Sequence, residues 1–80
     1  MAIAPDDWVL FRNAGAMLVA RKAPAEALPL LQHAAAWIDD DIDTLMALGW
    51  AQRALGQTAD ADATCARARR IEPHYPGLPD

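Results

Sequence analysis

The side chains able to do chemistry are few. The 80-residue chain has two histidines, His33 and His74, a single cysteine, Cys65, and no serine. A thiolate–imidazole nucleophile needs both groups to converge in a pocket that holds back water. His33 and His74 belong to different elements, and Cys65 falls on a packed helix face, where a thiol is inert. The run Asp39-Asp40-Asp41, with Asp43 close behind, collects four carboxylates but has neither the glycine nor the distal glutamate of a calcium loop. Helix capping and solvation account for it. No CxxC pair, phosphate-cradling glycine loop or zinc-spaced histidine pair occurs. These residues point away from an enzyme, and from any metal or cofactor.

Charge narrows the partners. Seven Lys and Arg stand against eleven Asp and Glu, a formal net charge of −4, so no broad positive field exists for nucleic acid. The basic knot Arg67, Arg69 and Arg70 falls where a helix should end, and there it complements the negative end of the helix dipole. A lone cysteine makes no internal disulfide, and the acidic opening from Met1 to Asp7 lacks a cationic export segment; the expectation is cytoplasmic. No apolar stretch approaches the roughly 20 residues that span a bilayer. Hydrophobic residues make up 54% of the chain, but many are alanines, which let helices approach closely while burying little area. The length allows one domain, predicted over residues 1–80.

The elements that must position any site are four helices, with no strand signal. Pro5-Asp6-Asp7 opens the first, predicted over about 7–20, the Asp side chains accepting from free N–H groups and facing the positive helix end. Pro24 suits the first position of the second helix, where its missing N–H is not needed; this helix is predicted to run to about residue 38. Asp39 to Asp41 end it and cap the third, which runs to about residue 55. Gly56 stops the third, Thr58 is the expected N-cap of the fourth, and Pro73 ends the fourth. Pro29 breaks the pattern: inside a regular helix it costs about 3 kcal/mol. Either the second helix kinks there or it begins later than Pro24.

Shifting the chain by 34 residues aligns Gly15 with Gly49, Ala20 with Ala54, Ala25 with Ala59, Ala27 with Ala61 and Ala34 with Ala68, without a gap. Both glycines fall midway along the first helix of a hairpin, where glycine costs about 1 kcal/mol. A glycine kept twice at one place implies a neighbouring helix passing close to the backbone. Leu48-Gly49, Gly56, Ala61, Ala68 and Pro73 resemble, at their spacing, the small-residue and proline signature of tetratricopeptide repeats. The first copy, residues 8–41, departs from it with Asp39 at the closing proline and Lys22 at the glycine between helices. The second, residues 42–75, carries Gln52 and Cys65 where large aromatics are usual; a short tail, 76–80, follows. The implied fold is all-α, two tandem helical hairpins of antiparallel helices, with Phe11, Leu18, Leu31, Leu45 and Leu48 packing within and between them.

The resemblance also assigns faces. In that family the first helix of each repeat lines an inner groove, which here would hold Val9, Arg12, Asn13, Ala16 and Val19, then Met46, Ala47, Trp50 and Arg53. For Trp50 and Met46 the competing reading is ordinary core. Some members grip a C-terminal carboxylate with a Lys/Asn clamp; Ala16 one turn after Arg12, and Ala47 in place of the second clamp's Asn, depart from that pattern. The first helix is apolar nearly all round, which normally means burial on every side. Leu10 and Met17 should nonetheless lie open on its leading edge, unless the residues before Trp8 fold back over them. At the other end, Asp62 and Arg69 stand where the first copy has Leu28 and Ala35, as a capping repeat requires. Tyr75 or Leu78 of the tail could pack back onto the fourth helix.

Three functions follow from these faces. The first is a protein-interaction module shielding an apolar helix or segment of another protein chain; in this it looks like the small tetratricopeptide chaperones of bacterial type III secretion. The second is a self-assembling scaffold or homodimer that buries Leu10 and Met17 about a two-fold axis. The third, ranked last, is a small regulatory enzyme subunit. None involves membrane insertion.

Overall fold

A computed structural model of the chain describes residues 7–74. It contains four helices: α1 (Asp7–Ala20), α2 (Pro24–Trp37), α3 (Ile42–Ala54) and α4 (Thr58–Ile71). Each hairpin pairs its own two helices, and the hairpins stack because α3 packs against both α1 and α2. The expectations for the residues before Asp7, and for Tyr75 and Leu78, lie outside the described residues.

The two hairpin turns are chemically different and geometrically alike. In the second, Gly56 adopts φ 79° while Gln57 N–H donates to the Gln52 carbonyl (2.9 Å) and Gly56 N–H to that of Arg53 (3.0 Å). In the first, Lys22 takes φ 62°, with Ala23 N–H donating to Leu18 (2.8 Å) and Lys22 N–H to Val19 (3.0 Å). Both are Schellman stops, which close the last carbonyls of a helix through one left-handed residue. Lys22 therefore does glycine's work, against a steric cost of about 1–2 kcal/mol for a residue with a Cβ.

That turn also corrects the start of α4. Its cap is Gln57, without a side-chain cap bond, and Thr58 is already helical. The Schellman turn uses every residue through Gln57, whose carbonyl then accepts from Ala61 N–H (2.9 Å) and begins the helix. At α3 the expected acid does cap: Asp41 accepts from Thr44 N–H at 2.9 Å and from Thr44 Oγ1 at 2.7 Å. Helix α2 starts at Pro24 and continues through Pro29. Ala25 and Pro29 are both exposed, so the hydrogen bond that Pro29 cannot make is lost on the water side.

Ala27, Leu31, Ala47, Leu48 and Ala51 form the buried cluster between the hairpins, with Leu18, Val19, Leu28 and Ala35 packed against it. Gly15 is buried, and a Cβ built there would stand 2.5 Å from Leu31 Cγ. The close approach inferred from the glycine pair is thus a real contact at the first site, and Gly49 is buried too. Inside the second hairpin, Thr64 Oγ1 donates to Gln52 Oε1 at 2.7 Å, a buried polar clasp. Cys65 is buried on α4, as its packed-face assignment requires.

Candidate functional site

Helices α1 and α3 lie side by side, and their shared face holds most of the residues expected in a groove. Trp50 is 42% exposed, Asn13 and Ala16 are exposed, and Val9, Met46, Arg12 and Arg53 are half-buried. Trp50 therefore belongs to the surface rather than the core. Ala47 does not belong to the groove. It is 4% exposed and belongs to the inter-hairpin cluster with Ala27 and Leu31 of α2, because a side chain this small is covered wherever the hairpins meet. Val19 is half-buried and packs against the same cluster, so it supports the groove floor more than its surface.

The two arginines on this face are held in place. Arg12 lies over the Trp8 ring, 5.5 Å from its centroid, and reaches Asp41 at 3.4 Å. Its Nε and second amino group donate to Asn13 Oδ1 at 3.2 and 3.1 Å. Arg53 pairs with Asp62 at 3.2 Å, while its Nε is buried without a hydrogen-bond partner. The exposed Arg53–Asp62 pair contributes about 0–1 kcal/mol, while the Arg12–Asp41 pair is partly buried; both orient charge at the rim. The face combines the apolar Val9, Ala16, Met46 and Trp50 with the polar Arg12, Asn13 and Arg53, a mixture common at protein-binding patches.

A second surface lies on the outer side of the first hairpin. Leu10 is 66% exposed and Met17 53% exposed, as expected for the leading edge. Between α1 and α2 there is an open pocket of about 380 Å³, lined by Asp7, Leu10, Phe11, Ala14 and Leu30. His33 stacks on Phe11 with ring centroids 4.1 Å apart and lies 6.5 Å from the exposed Trp37. Leu30, His33 and Trp37 were not among the expected site residues. The signal was present: they follow one another by three and four residues along one side of α2.

His33 lies with aromatic rings, Cys65 is buried on α4, and among the described residues no group of three or more His, Cys, Asp or Glu is placed to hold a metal. The basic knot meets backbone and acid instead: Arg67 donates to the Asp39 carbonyl at 3.2 Å, and a shallow recess there is lined by Asp39, Asp40, Arg67, Arg70 and Ile71. Among the described residues no helix is long and apolar enough to cross a membrane.

Stacked hairpins with a shared helix face and a charged far side define an α-helical repeat protein. The tetratricopeptide repeat family profile matches residues 18–77, and the chain belongs to that family. No match to it was found among curated proteins or among solved structures. The family's fold is a protein-interaction module and not typically a catalytic one.

Proposed function

We propose that the shared face of α1 and α3 holds an apolar helix or extended segment of a partner protein and keeps it from water. This is the work of a chaperone for an aggregation-prone segment, as the small tetratricopeptide chaperones of type III secretion perform it, and we place it in the cytoplasm. The observation that carries the reading is Trp50, a large aromatic left 42% exposed beside Met46 and Ala16 on the face the family uses for binding. Exposed tryptophan at the middle of a patch is a common binding anchor, and truncating such an anchor costs about 2 kcal/mol or more, roughly 30-fold in affinity.

The test compares wild type with Trp50→Ala as bait in lysate of the native host, alongside thermal melts of both. Support would be a protein retained by wild type, lost by a Trp50→Ala chain of unchanged melting temperature, and bound through an apolar segment. Capture unaffected by the substitution would remove this face from the function. Parallel loss of folding and capture would return Trp50 to a structural role.

A further inference from the structure

The exposed outer face of α1 corresponds in the repeat to a buried face of α3. The 34-residue shift carries Leu10, Ala14 and Met17 onto Thr44, Leu48 and Ala51, which are 0%, 4% and 0% exposed because the first hairpin lies on them. The pocket residues Phe11 and Leu30 map onto Leu45 and Thr64, both buried. At Leu10, Ala14 and Met17 the first hairpin therefore presents to solvent positions that are buried in the second, where Leu48 and Ala51 belong to the cluster between the hairpins.

Another copy cannot cover it head to tail. The surface that receives α3 includes Leu28 and Ala35, and the same positions on α4 are the exposed charges Asp62 and Arg69. Pressing those onto Leu10 and Met17 would strip water from Arg69 and from Asp62, whose pairing with Arg53 sits at the exposed rim, and desolvating such charges against apolar side chains is costly. The face does complement itself. Along one side of α1 the order is Asp7, Leu10, Ala14, Met17, then Arg21 just past the helix end, at alternating spacings of three and four residues. Run antiparallel, acid meets base, leucine meets methionine, and Ala14 meets Ala14. Run parallel, acid meets acid.

We propose that two copies of this chain pair through α1, antiparallel about a two-fold axis passing at Ala14. The interface is isologous, so each contact occurs twice. The alanine lets the helix axes approach to about 8 Å, the near end of the usual range. Met17 of the partner subunit enters the pocket of Leu10, Phe11, Ala14 and Leu30, and its flexible thioether suits an irregular opening. Asp7 and Arg21 stand about 21 Å apart along the helix and set register at the rim. This pairing is independent of what the shared face of α1 and α3 holds, and it leaves that face open in both copies.

The experiment is sedimentation equilibrium of the full chain over a dilution series. A dimer of about twice the 8.6 kDa chain mass is expected, falling to monomer on dilution. Met17→Glu should weaken association at least about 30-fold while circular dichroism stays helical. Arg21→Asp should weaken it mildly, and Asp7→Arg with Arg21→Asp should restore it. Ala14→Cys should form an oxidised cross-linked dimer, whereas wild type, with only the buried Cys65, and Ala59→Cys on α4 should not. A chain monomeric at every concentration overturns the proposal, including one that binds a foreign helix at Leu10 instead. So does a dimer indifferent to Met17→Glu, or one in which Ala14→Cys fails to cross-link.

Discussion

Adding one methyl group at Gly15 should destabilise the protein even though it improves helix propensity. The built Cβ stands 2.5 Å from Leu31 Cγ and 2.7 Å from Cδ2, and Leu31 is fully buried. The branch point of an enclosed leucine cannot swing aside, so overpacking should cost about 1–3 kcal/mol. Replacing a mid-helix glycine by alanine returns about 1 kcal/mol. The net expectation for Gly15→Ala is a loss of about 1 kcal/mol. In a Leu31→Ala background the clash is gone and only the propensity gain remains, so the same substitution should stabilise by about 1 kcal/mol. The coupling between the two sites is then about 1–3 kcal/mol.

Urea unfolding followed by circular dichroism, at one fixed protein concentration, measures all four chains of this cycle. Leu31→Ala alone should cost about 2–5 kcal/mol, a large share of what a small domain possesses. The series is therefore run in a constant concentration of stabilising osmolyte. An equal effect of Gly15→Ala in both backgrounds would refute the reasoning. So would stabilisation by Gly15→Ala in the wild-type chain.

Other perturbations follow from single contacts. Lys22→Gly relieves the left-handed strain of the first turn and should raise stability by about 1 kcal/mol, read as a higher thermal midpoint. Asp41→Ala removes the α3 cap and should cost about 1 kcal/mol, whereas Asp41→Asn keeps an accepting oxygen and should cost less than about half of that, both measured by denaturant midpoint. Thr64→Val strands the buried Gln52 Oε1 and should cost about 1–3 kcal/mol; adding Gln52→Leu removes the stranded atom and should recover most of it.

The helix ends were legible where the terminating residue acts through its own backbone. Pro24 starts α2, and Gly56 ends the helix before it, because ring closure and a missing Cβ leave few alternatives. Lys22 hid the matching turn, since nothing about a lysine announces positive φ; only the repeat alignment with Gly56 could have revealed it. Thr58 misled for a related reason, its capping side chain arriving one residue after the Schellman turn had set the helix start. Among the candidate site residues, Leu10, Met17 and Trp50 were readable as surplus apolar surface, and all three are exposed. Ala47 was not readable, because an alanine is silent about which side its neighbour takes, and here it joins the buried cluster with Ala27 and Leu31 of α2. Trp37 lies on α2, outside the first-helix face to which the resemblance assigns the groove, so that assignment does not reach it.

Asp62 and Arg69 give the repeat array a direction. An extra hairpin fused ahead of α1 would meet grease and could seat itself, whereas one fused behind α4 would meet two hydrated charges and hang loose. Two side chains thus decide at which end such a protein can be lengthened, by engineering or by gene duplication. Exchanging them for their first-hairpin counterparts, leucine and alanine, would give every molecule both a plug and a socket, and turn a bounded particle into a growing thread.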